Sequence, residues 1–150
     1  MSLEKDISQA NFRNEHQKAI INLIYSYNWM NEQMKPFFER VDITGQQFNI
    51  LRILRGAGQP LSTLQIRQRM LDKMSDTSRI VDRLITKGLA KKVVCKSDKR
   101  LVDVSITVKG KKLLEKTDKY EPEMDALFGS LSESEAKTLN KLLDKIRQRD

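Results

Sequence analysis

The sequence predicts a mainly α-helical protein with one small β-hairpin, an α+β fold in a single domain of 150 residues. Over most of the chain, apolar residues recur every three or four positions, which indicates amphipathic helices. Residues 93–107 instead alternate apolar and polar side chains on either side of Ser97-Asp98-Lys99, a sequence with turn chemistry. A chain of this length can bury a core without disulfides, and its single cysteine excludes an internal one.

The first predicted helix is long and lies between Phe12 and Phe38, where apolar residues follow one another at steps of three and four. Pro36 is expected to kink or end this helix near Lys35. The helix carries more apolar surface than one core face requires, which indicates that a second subunit covers part of it. Residues 1–10 are polar and are expected to be frayed or loosely helical.

Two shorter helices are predicted next from capping boxes, in which a Ser or Thr and a Gln three residues later satisfy each other's backbone N–H groups. Thr44-Gly45-Gln46-Gln47 begins the first, which is expected to end at Gly56. Ser62-Thr63-Leu64-Gln65 begins the second, which is expected to end around Asp72. The predicted apolar positions of this second helix are Leu64, Ile66, Met70 and Leu71.

A further helix is predicted to start at Ser75, a good N-cap residue, and to stop at Gly88. Only about three residues would separate it from the preceding helix, which is the connection length of a helix-turn-helix. The hairpin follows directly, with Val102, Val104 and Ile106 on one face of its second strand. Three short helices and a hairpin predict a winged domain.

Two amphipathic helices are predicted after the hairpin. Thr107 can cap the first, which is expected to bend at Pro122 and stop at Gly129. The capping box Ser132-Glu133-Ser134-Glu135 begins the last helix of the chain.

Positive charge is concentrated in one part of the sequence. Residues 79–112 contain eleven Lys or Arg residues and three Asp residues, a net charge of +8 that equals that of the whole chain. A solvated surface without a partner would be expected to spread its charge. The concentration on one helix and one hairpin therefore favours a polyanionic partner, and it predicts DNA binding.

The same region resembles the MarR family of bacterial winged helix-turn-helix regulators. The resemblance is carried by residues 77–84 (TSRIVDRL), 87–89 (KGL), 98–100 (DKR) and 104–107 (VSIT), and by Gly110. It implies a homodimer built by a helical dimerisation region, residues 12–40 and 109–148, with residues 44–107 as the winged helix-turn-helix region. It also implies that the recognition helix enters the DNA major groove and that an arginine at the hairpin tip reaches the minor groove.

The candidate DNA-contacting residues are polar side chains on the recognition helix and the wing. Those on the recognition helix can reach base edges or the DNA backbone. They are Ser75, Asp76, Thr77, Ser78, Arg79 and Arg83. The wing candidates are Lys92, Lys96, Asp98, Lys99 and Arg100. A carboxylate that faces DNA costs affinity, so Asp76 is expected to stabilise the helix N-terminus instead.

The predicted function is that of a homodimeric, sequence-specific transcriptional regulator, a repressor, that binds double-stranded DNA at a pseudo-palindromic operator. The alternative is a non-specific architectural DNA-binding protein of the same fold, which base discrimination would distinguish. The family resemblance implies an aromatic effector bound between the helical and winged regions, with Trp29 and Phe48 as candidate lining residues. Neither a signal peptide nor a membrane span is predicted, so we expect a cytoplasmic protein.

Catalysis, metal binding and cofactors are not predicted. His16 and Cys95 lie on different predicted elements, and one residue of each type cannot supply the ligands of a zinc site. The sequence contains neither a Gly-rich phosphate-binding motif nor a nucleophile elbow. Cys95 is expected to point inward from a wing strand; redox sensing is an alternative, because nearby lysines would lower the pKa of an exposed thiol.

Overall fold

The computed structural model describes residues 2–148. Within that range the chain forms eight α-helices, a 3-10 turn at Ala126–Phe128 and three β-strands. The helices are α1 (Leu3–Asp6), α2 (Glu15–Glu39), α3 (Gly45–Ala57), α4 (Thr63–Arg69), α5 (Thr77–Thr86), α6 (Val108–Asp118), α7 (Glu121–Asp125) and α8 (Glu133–Arg147). The strands are β1 (Leu61–Ser62), β2 (Ala90–Val94) and β3 (Val102–Ile106). The predicted mainly helical fold with a small hairpin is confirmed.

The helix starts predicted from capping boxes are confirmed. Thr44, Ser62 and Ser132 each accept a hydrogen bond from the backbone N–H three residues later, and the Gln or Glu side chain at that position accepts one from the backbone N–H of the capping residue. Thr107 caps α6 through a hydrogen bond from the N–H of Gly110, 3.1 Å long. These signals are local, because both partners lie within one turn of helix.

The connection between α4 and α5 differs from the prediction. Helix α4 ends at Arg69 rather than around Asp72, so residues 70–76 separate the two helices. The N-cap of α5 is Asp76, whose carboxylate accepts the Arg79 N–H at 3.2 Å. Ser75, the predicted N-cap, instead donates from its hydroxyl to the Asp72 carbonyl at 2.8 Å. A carboxylate one residue downstream therefore replaces the serine as the cap.

The hairpin belongs to a three-stranded antiparallel sheet in the order β1-β3-β2. Strand β1 contains only Leu61 and Ser62, which pair with Val104 and Asp103. Strand β1 was not predicted from the sequence, because two residues are too few for alternation to be recognised. Strand β1 joins the wing directly to the start of α4.

The core lies between the sheet and helices α3 to α6. Its fully buried side chains include Ile50 and Leu54 of α3, Ile66 of α4, Leu84 of α5 and Leu114 of α6.

Two of the predicted apolar core positions around α4 are wrong. Leu64 is 63% exposed and Leu71 is 87% exposed, whereas Ile66 and Met70 are buried. A seven-residue helix turns only one face to the core, and Leu71 lies beyond its end.

Helix α2 continues through Pro36 to Glu39, so the predicted end near Lys35 is wrong. Proline removes one backbone donor from the helix. The aromatic packing around the following residues is extensive: the ring of Phe37 lies 5.1 to 5.9 Å from those of Phe38, Phe48 and Tyr120. We attribute the continuation of the helix to this packing, which brings α2 against α3 and the segment after α6.

The predicted long helix after the wing is broken. Helix α6 ends at Asp118 and α7 begins at Glu121, with Pro122 in its first turn, where a missing N–H costs nothing. The bidentate ion pair between Arg55 and Asp118, with N to O distances of 2.8 and 3.0 Å, fixes the end of α6 against α3.

The N-terminal segment is more ordered than predicted. It forms the short helix α1, in which Leu3 is buried. The Lys18 ammonium donates a hydrogen bond to the Glu4 carboxylate and lowers the pKa of Glu4 to about 2. Within residues 2–148 no helix combines the length and apolar character that a membrane crossing requires.

Candidate nucleic-acid interface

Helix α5 is anchored to the core by one face and presents the other to solvent. Ile80, Val81 and Leu84 are at most 7% exposed. The opposite face is exposed and polar, with Ser78, Arg79, Asp82, Arg83 and Thr86. The core therefore fixes the orientation of the helix and leaves its polar residues free to contact a partner.

The first turn of α5 offers fewer contacts than predicted. Thr77 is only 3% exposed, so it cannot reach a base edge, which corrects the prediction for that residue. Its hydroxyl has no hydrogen-bond partner among residues 2–148. Ser75 is half-buried, and Asp76 caps the helix, as expected from its charge. Ser78 is the remaining fully exposed short polar side chain of this turn.

The wing tip is a compact loop that holds Arg100 in solvent. The Cys95 N–H donates to the Leu101 carbonyl at 3.0 Å and closes the loop. The Asp98 carboxylate accepts the Arg100 backbone N–H at 3.0 Å. The Arg100 side chain is 94% exposed, with its Nε 3.8 Å from Asp98 Oδ1. Asp98 therefore orders the backbone of the tip and forms an ion pair with the solvent-exposed Arg100 guanidinium, which exposed Lys96 and Lys99 flank.

Some basic side chains of the charged region pair within the protein. Lys92 Nζ of β2 lies 3.7 Å from Asp82 Oδ1 of α5, which links the wing to the recognition helix. Lys87 donates to the backbone carbonyl of Asp42 and forms an ion pair with its carboxylate. The partners are 10 and 45 residues apart, so sequence spacing gave no signal for either pair. Arg79, Arg83 and Arg100 remain exposed on the surface formed by α5 and the wing.

Comparison with known proteins decides the family. The chain is 30% identical to the multiple antibiotic resistance protein MarR of Salmonella typhimurium over 128 residues, 83% of this chain and 88% of that protein. The MarR family model matches residues 41–101. The chain belongs to the MarR family. The matched residues run from the start of the α2–α3 connection to the wing tip, so they contain α5, the predicted recognition helix of this family of DNA-binding transcriptional regulators.

Solved structures of MarR-family proteins share the fold. A cysteine-to-serine variant of Escherichia coli MarR complexed with operator DNA gives a TM-score of 0.82 at 23% identity, covering 93% of this chain and all of that one. BpsR of Bordetella bronchiseptica, whose DNA binding is regulated by 6-hydroxynicotinic acid, gives a TM-score of 0.80 at 21% identity. That match covers 94% of this chain and all of that one. These matches confirm the winged-helix architecture of the MarR-family chain.

A cleft of this MarR-family chain lies between α3 and the α6–α7 segment. Its volume is about 260 Å³, and its walls include Phe48, Arg52, Asp118 and Met124. The Arg52 guanidinium lies 5.7 Å from the centre of the Phe48 ring. Phe48, a predicted ligand-lining residue, is therefore part of a cleft at the predicted junction. Trp29 is 41% exposed on α2 and is not among the residues that line this cleft.

Cys95 does not point inward from a strand as predicted, because β2 ends at Val94 and Cys95 begins the wing loop. The side chain is half-buried, with its Sγ 3.0 Å from Ser97 Oγ. The hydrogen bond from Ser97 lowers the pKa of the Cys95 thiol below its ordinary value. Backbone N–H groups of the loop act in the same direction, so the loop itself, rather than the nearby lysines, is the cause.

The part of the chain that the structure describes holds no group of three or more His, Cys, Asp or Glu side chains placed to bind a metal ion.

Proposed function

We propose that this MarR-family chain is a homodimeric repressor that binds a specific, pseudo-palindromic DNA operator through α5 and the wing, in the cytoplasm. The observation that carries the proposal is the placement of the net charge. Residues 79–112 account for the full +8 of the chain, and Arg79, Arg83 and Arg100 are exposed on the two elements that a winged domain presents to DNA. The complex of Escherichia coli MarR with operator DNA supports it by analogy.

The exposed groups suit different parts of a duplex. Ser78 and Arg79, in the first turn of α5, would contact base edges in the major groove, where arginine pairs with guanine in a bidentate manner. Arg83 lies one turn further along and would contact the backbone. Lys96 and Lys99 of the wing loop would neutralise phosphates. Arg100 would enter the adjacent minor groove, whose negative potential increases as the groove narrows.

The proposed dimer follows from apolar side chains that the single chain leaves uncovered. Ile20, Ile24 and Tyr27 of α2 are 57 to 61% exposed, and Leu142 and Ile146 of α8 are 55 and 65% exposed. Large apolar side chains left exposed along a helix face are typical of a subunit interface. We therefore assign residues 12–40 and 109–148 to dimerisation and 44–107 to DNA binding. Two recognition helices related by a two-fold axis would read two half-sites of one operator.

The experiment that tests the proposal is selection of bound DNA. The purified protein is mixed with sheared genomic DNA, including the DNA that flanks its own gene, and the retained fragments are sequenced. We expect a small set of fragments with a shared inverted repeat. Retention of fragments in proportion to their length, without a shared sequence, would contradict sequence-specific binding and favour an architectural role.

We also propose that a small aromatic ligand modulates DNA binding from the cleft between α3 and α6–α7. Phe48 supplies an apolar wall for an aromatic ring, and Arg52 supplies a cation for a phenolate or carboxylate beside the carboxylates of Asp118, Glu121 and Asp125. The regulation of BpsR by 6-hydroxynicotinic acid supports this assignment by analogy. Aromatic acids at millimolar concentration should raise the melting temperature of the protein and weaken its operator binding. Phe48→Ala should reduce both effects, and unchanged melting and DNA affinity with every acid tested would exclude this ligand class.

The wing arginine has a testable role that its lysine neighbour lacks. Arg100→Ala should weaken binding to the selected operator by about tenfold, equivalent to about 1.4 kcal/mol, and should weaken binding to a scrambled duplex much less. Lys99→Ala removes the same charge from the same loop and should weaken binding to both duplexes alike. The slope of log affinity against log salt concentration should become shallower by about 0.9. Both side chains are exposed, so folding stability should change by less than about 0.5 kcal/mol in either variant.

Affinities at fixed salt on both duplexes measure this difference. If Arg100→Ala lowers the affinity for the operator and for the scrambled duplex equally, the wing arginine contacts phosphates and does not read sequence.

A further inference from the structure

A cleft of about 480 Å³ lies between the N-terminal ends of α4 and α5, beside the polar face of the recognition helix. One part of its wall is polar, with Thr63, Arg67, Ser75 and Ser78. The other part is aliphatic and formed by Leu64 and Met74. Leu64 is 63% exposed and Met74 is 93% exposed. Large apolar side chains are thus displayed within the surface that the proposed function directs toward DNA.

The polar groups of this turn are poorly suited to reading an A·T pair through adenine. Adenine is recognised in the major groove by the side-chain amides of Asn or Gln, and residues 74–86 contain neither. Thr77 is buried, and the Asp76 carboxylate is occupied as the helix cap. The partner base of the same pair offers a different feature, because the thymine C5-methyl group is apolar and projects into the major groove.

We propose that Met74 and Leu64 form an apolar contact for thymine methyl groups and so determine sequence specificity at the N-terminal end of the recognition helix. The inference rests on the proposed DNA-binding function and deepens it. Arg67 in the cleft wall, with Arg79 and Arg83 exposed on the adjoining face of α5, gives the surrounding surface the charge that a duplex requires. The cleft is also continuous with the proposed interface, since Ser78 belongs to both.

The test uses an operator selected by the wild-type protein from a random duplex pool, and the same operator with deoxyuridine replacing individual thymidines. Uracil keeps the base pairing and lacks only the methyl group. At the contacted positions the wild-type protein should bind the uracil duplex about fourfold more weakly, the equivalent of about 0.8 kcal/mol for one buried methyl group. Met74→Ala should weaken binding to the thymine duplex and abolish the difference between the two duplexes.

Two control variants separate the contact from other effects. Met74→Leu keeps an aliphatic side chain and should retain the sensitivity to uracil. Leu71→Ala changes a residue of the same loop that is 87% exposed and does not line the cleft, and it should also retain that sensitivity. Because Met74 is almost fully exposed, its replacement should not disturb folding.

The possible failures are distinguishable. If the protein retains no duplex from the pool, both the proposed DNA-binding function and the proposed thymine contact are overturned. If it selects an operator but binds the thymine and uracil duplexes equally, or if Met74→Ala keeps the full difference, only the thymine contact is overturned. In that case the apolar wall would be available to a protein partner instead.

Discussion

Replacement of Gly110 by alanine is expected to destabilise the fold by about 3 kcal/mol or more. Gly110 lies in the first turn of α6, where a Cβ would stand 2.3 Å from the Leu89 carbonyl oxygen and 2.8 Å from Ile106 Cγ1. The carbonyl cannot withdraw freely, because it accepts the Thr107 N–H at 3.1 Å. Alanine would therefore separate α6 from the chain that leads into the wing.

Gly56→Ala is the matched control for this change. Gly56 also lies in a helix, and an added Cβ would meet no atom within 4 Å. Alanine normally stabilises a helix interior by about 0.5–1 kcal/mol relative to glycine, and we expect that gain at position 56. Denaturant unfolding at matched protein concentration measures both variants. A gain in stability from Gly110→Ala as well would contradict the close packing of α6 on the Leu89 carbonyl.

Ile24→Glu is expected to dissociate the proposed dimer, raising its dissociation constant by at least about a hundredfold. Ile24 is 57% exposed in the single chain. In a monomeric protein a carboxylate there would be solvated and harmless. In a dimer that buries this face, each subunit would carry an unpaired charge into the interface at a cost of several kcal/mol. Operator affinity should fall as well, because two linked winged domains no longer bind together.

Gln33→Glu introduces the same charge on the same helix and serves as the control. It lies nine residues from Ile24, two and a half helical turns, so it occupies the opposite side of α2. It is exposed, and we expect it to leave the dimer intact. Sedimentation velocity at micromolar concentrations distinguishes the two variants. A wild-type protein that sediments as a folded monomer, or an Ile24→Glu variant that remains dimeric, would contradict the proposed interface.

Features governed by local chemistry could be predicted from the sequence. The capping boxes at Thr44, Ser62 and Ser132 depend on residues within one turn, and all three begin helices where the sequence places them. The mainly helical fold and the wing followed from periodicity in the same way. The cap of α5 was harder to assign, because Ser75 and Asp76 are adjacent and both are good caps; only the loop geometry favours Asp76.

Features governed by contacts between distant residues could not be predicted. Strand β1 exists because Leu61 pairs with Val104 across 43 residues. Helix α2 passes Pro36 beside an aromatic cluster that includes Tyr120. In the candidate interface, the burial of Thr77 and the pairing of Lys92 with Asp82 depend on how α5 packs against its neighbours. Residue type alone therefore overestimated the number of side chains available to DNA.

The exposure of the apolar residues in the recognition region was also not predicted from the sequence. Leu64 was predicted as one of the apolar positions of the helix that Ser62 caps. The structure places it in the wall of the cleft with Met74. The apolar pattern of so short a helix does not specify which side faces the core, since about two turns contain too few residues to define a stripe.

The proposed function depends most directly on base discrimination by the surface that α5 and the wing form. The deciding measurement is the ratio of the dissociation constants for a scrambled duplex and for the operator recovered by genomic selection, at one physiological salt concentration. A regulator that reads sequence should give a ratio of about 10³ or more. A ratio near one, with both affinities falling equally steeply as salt is raised, would show that the basic surface binds phosphates alone and would contradict the proposed function.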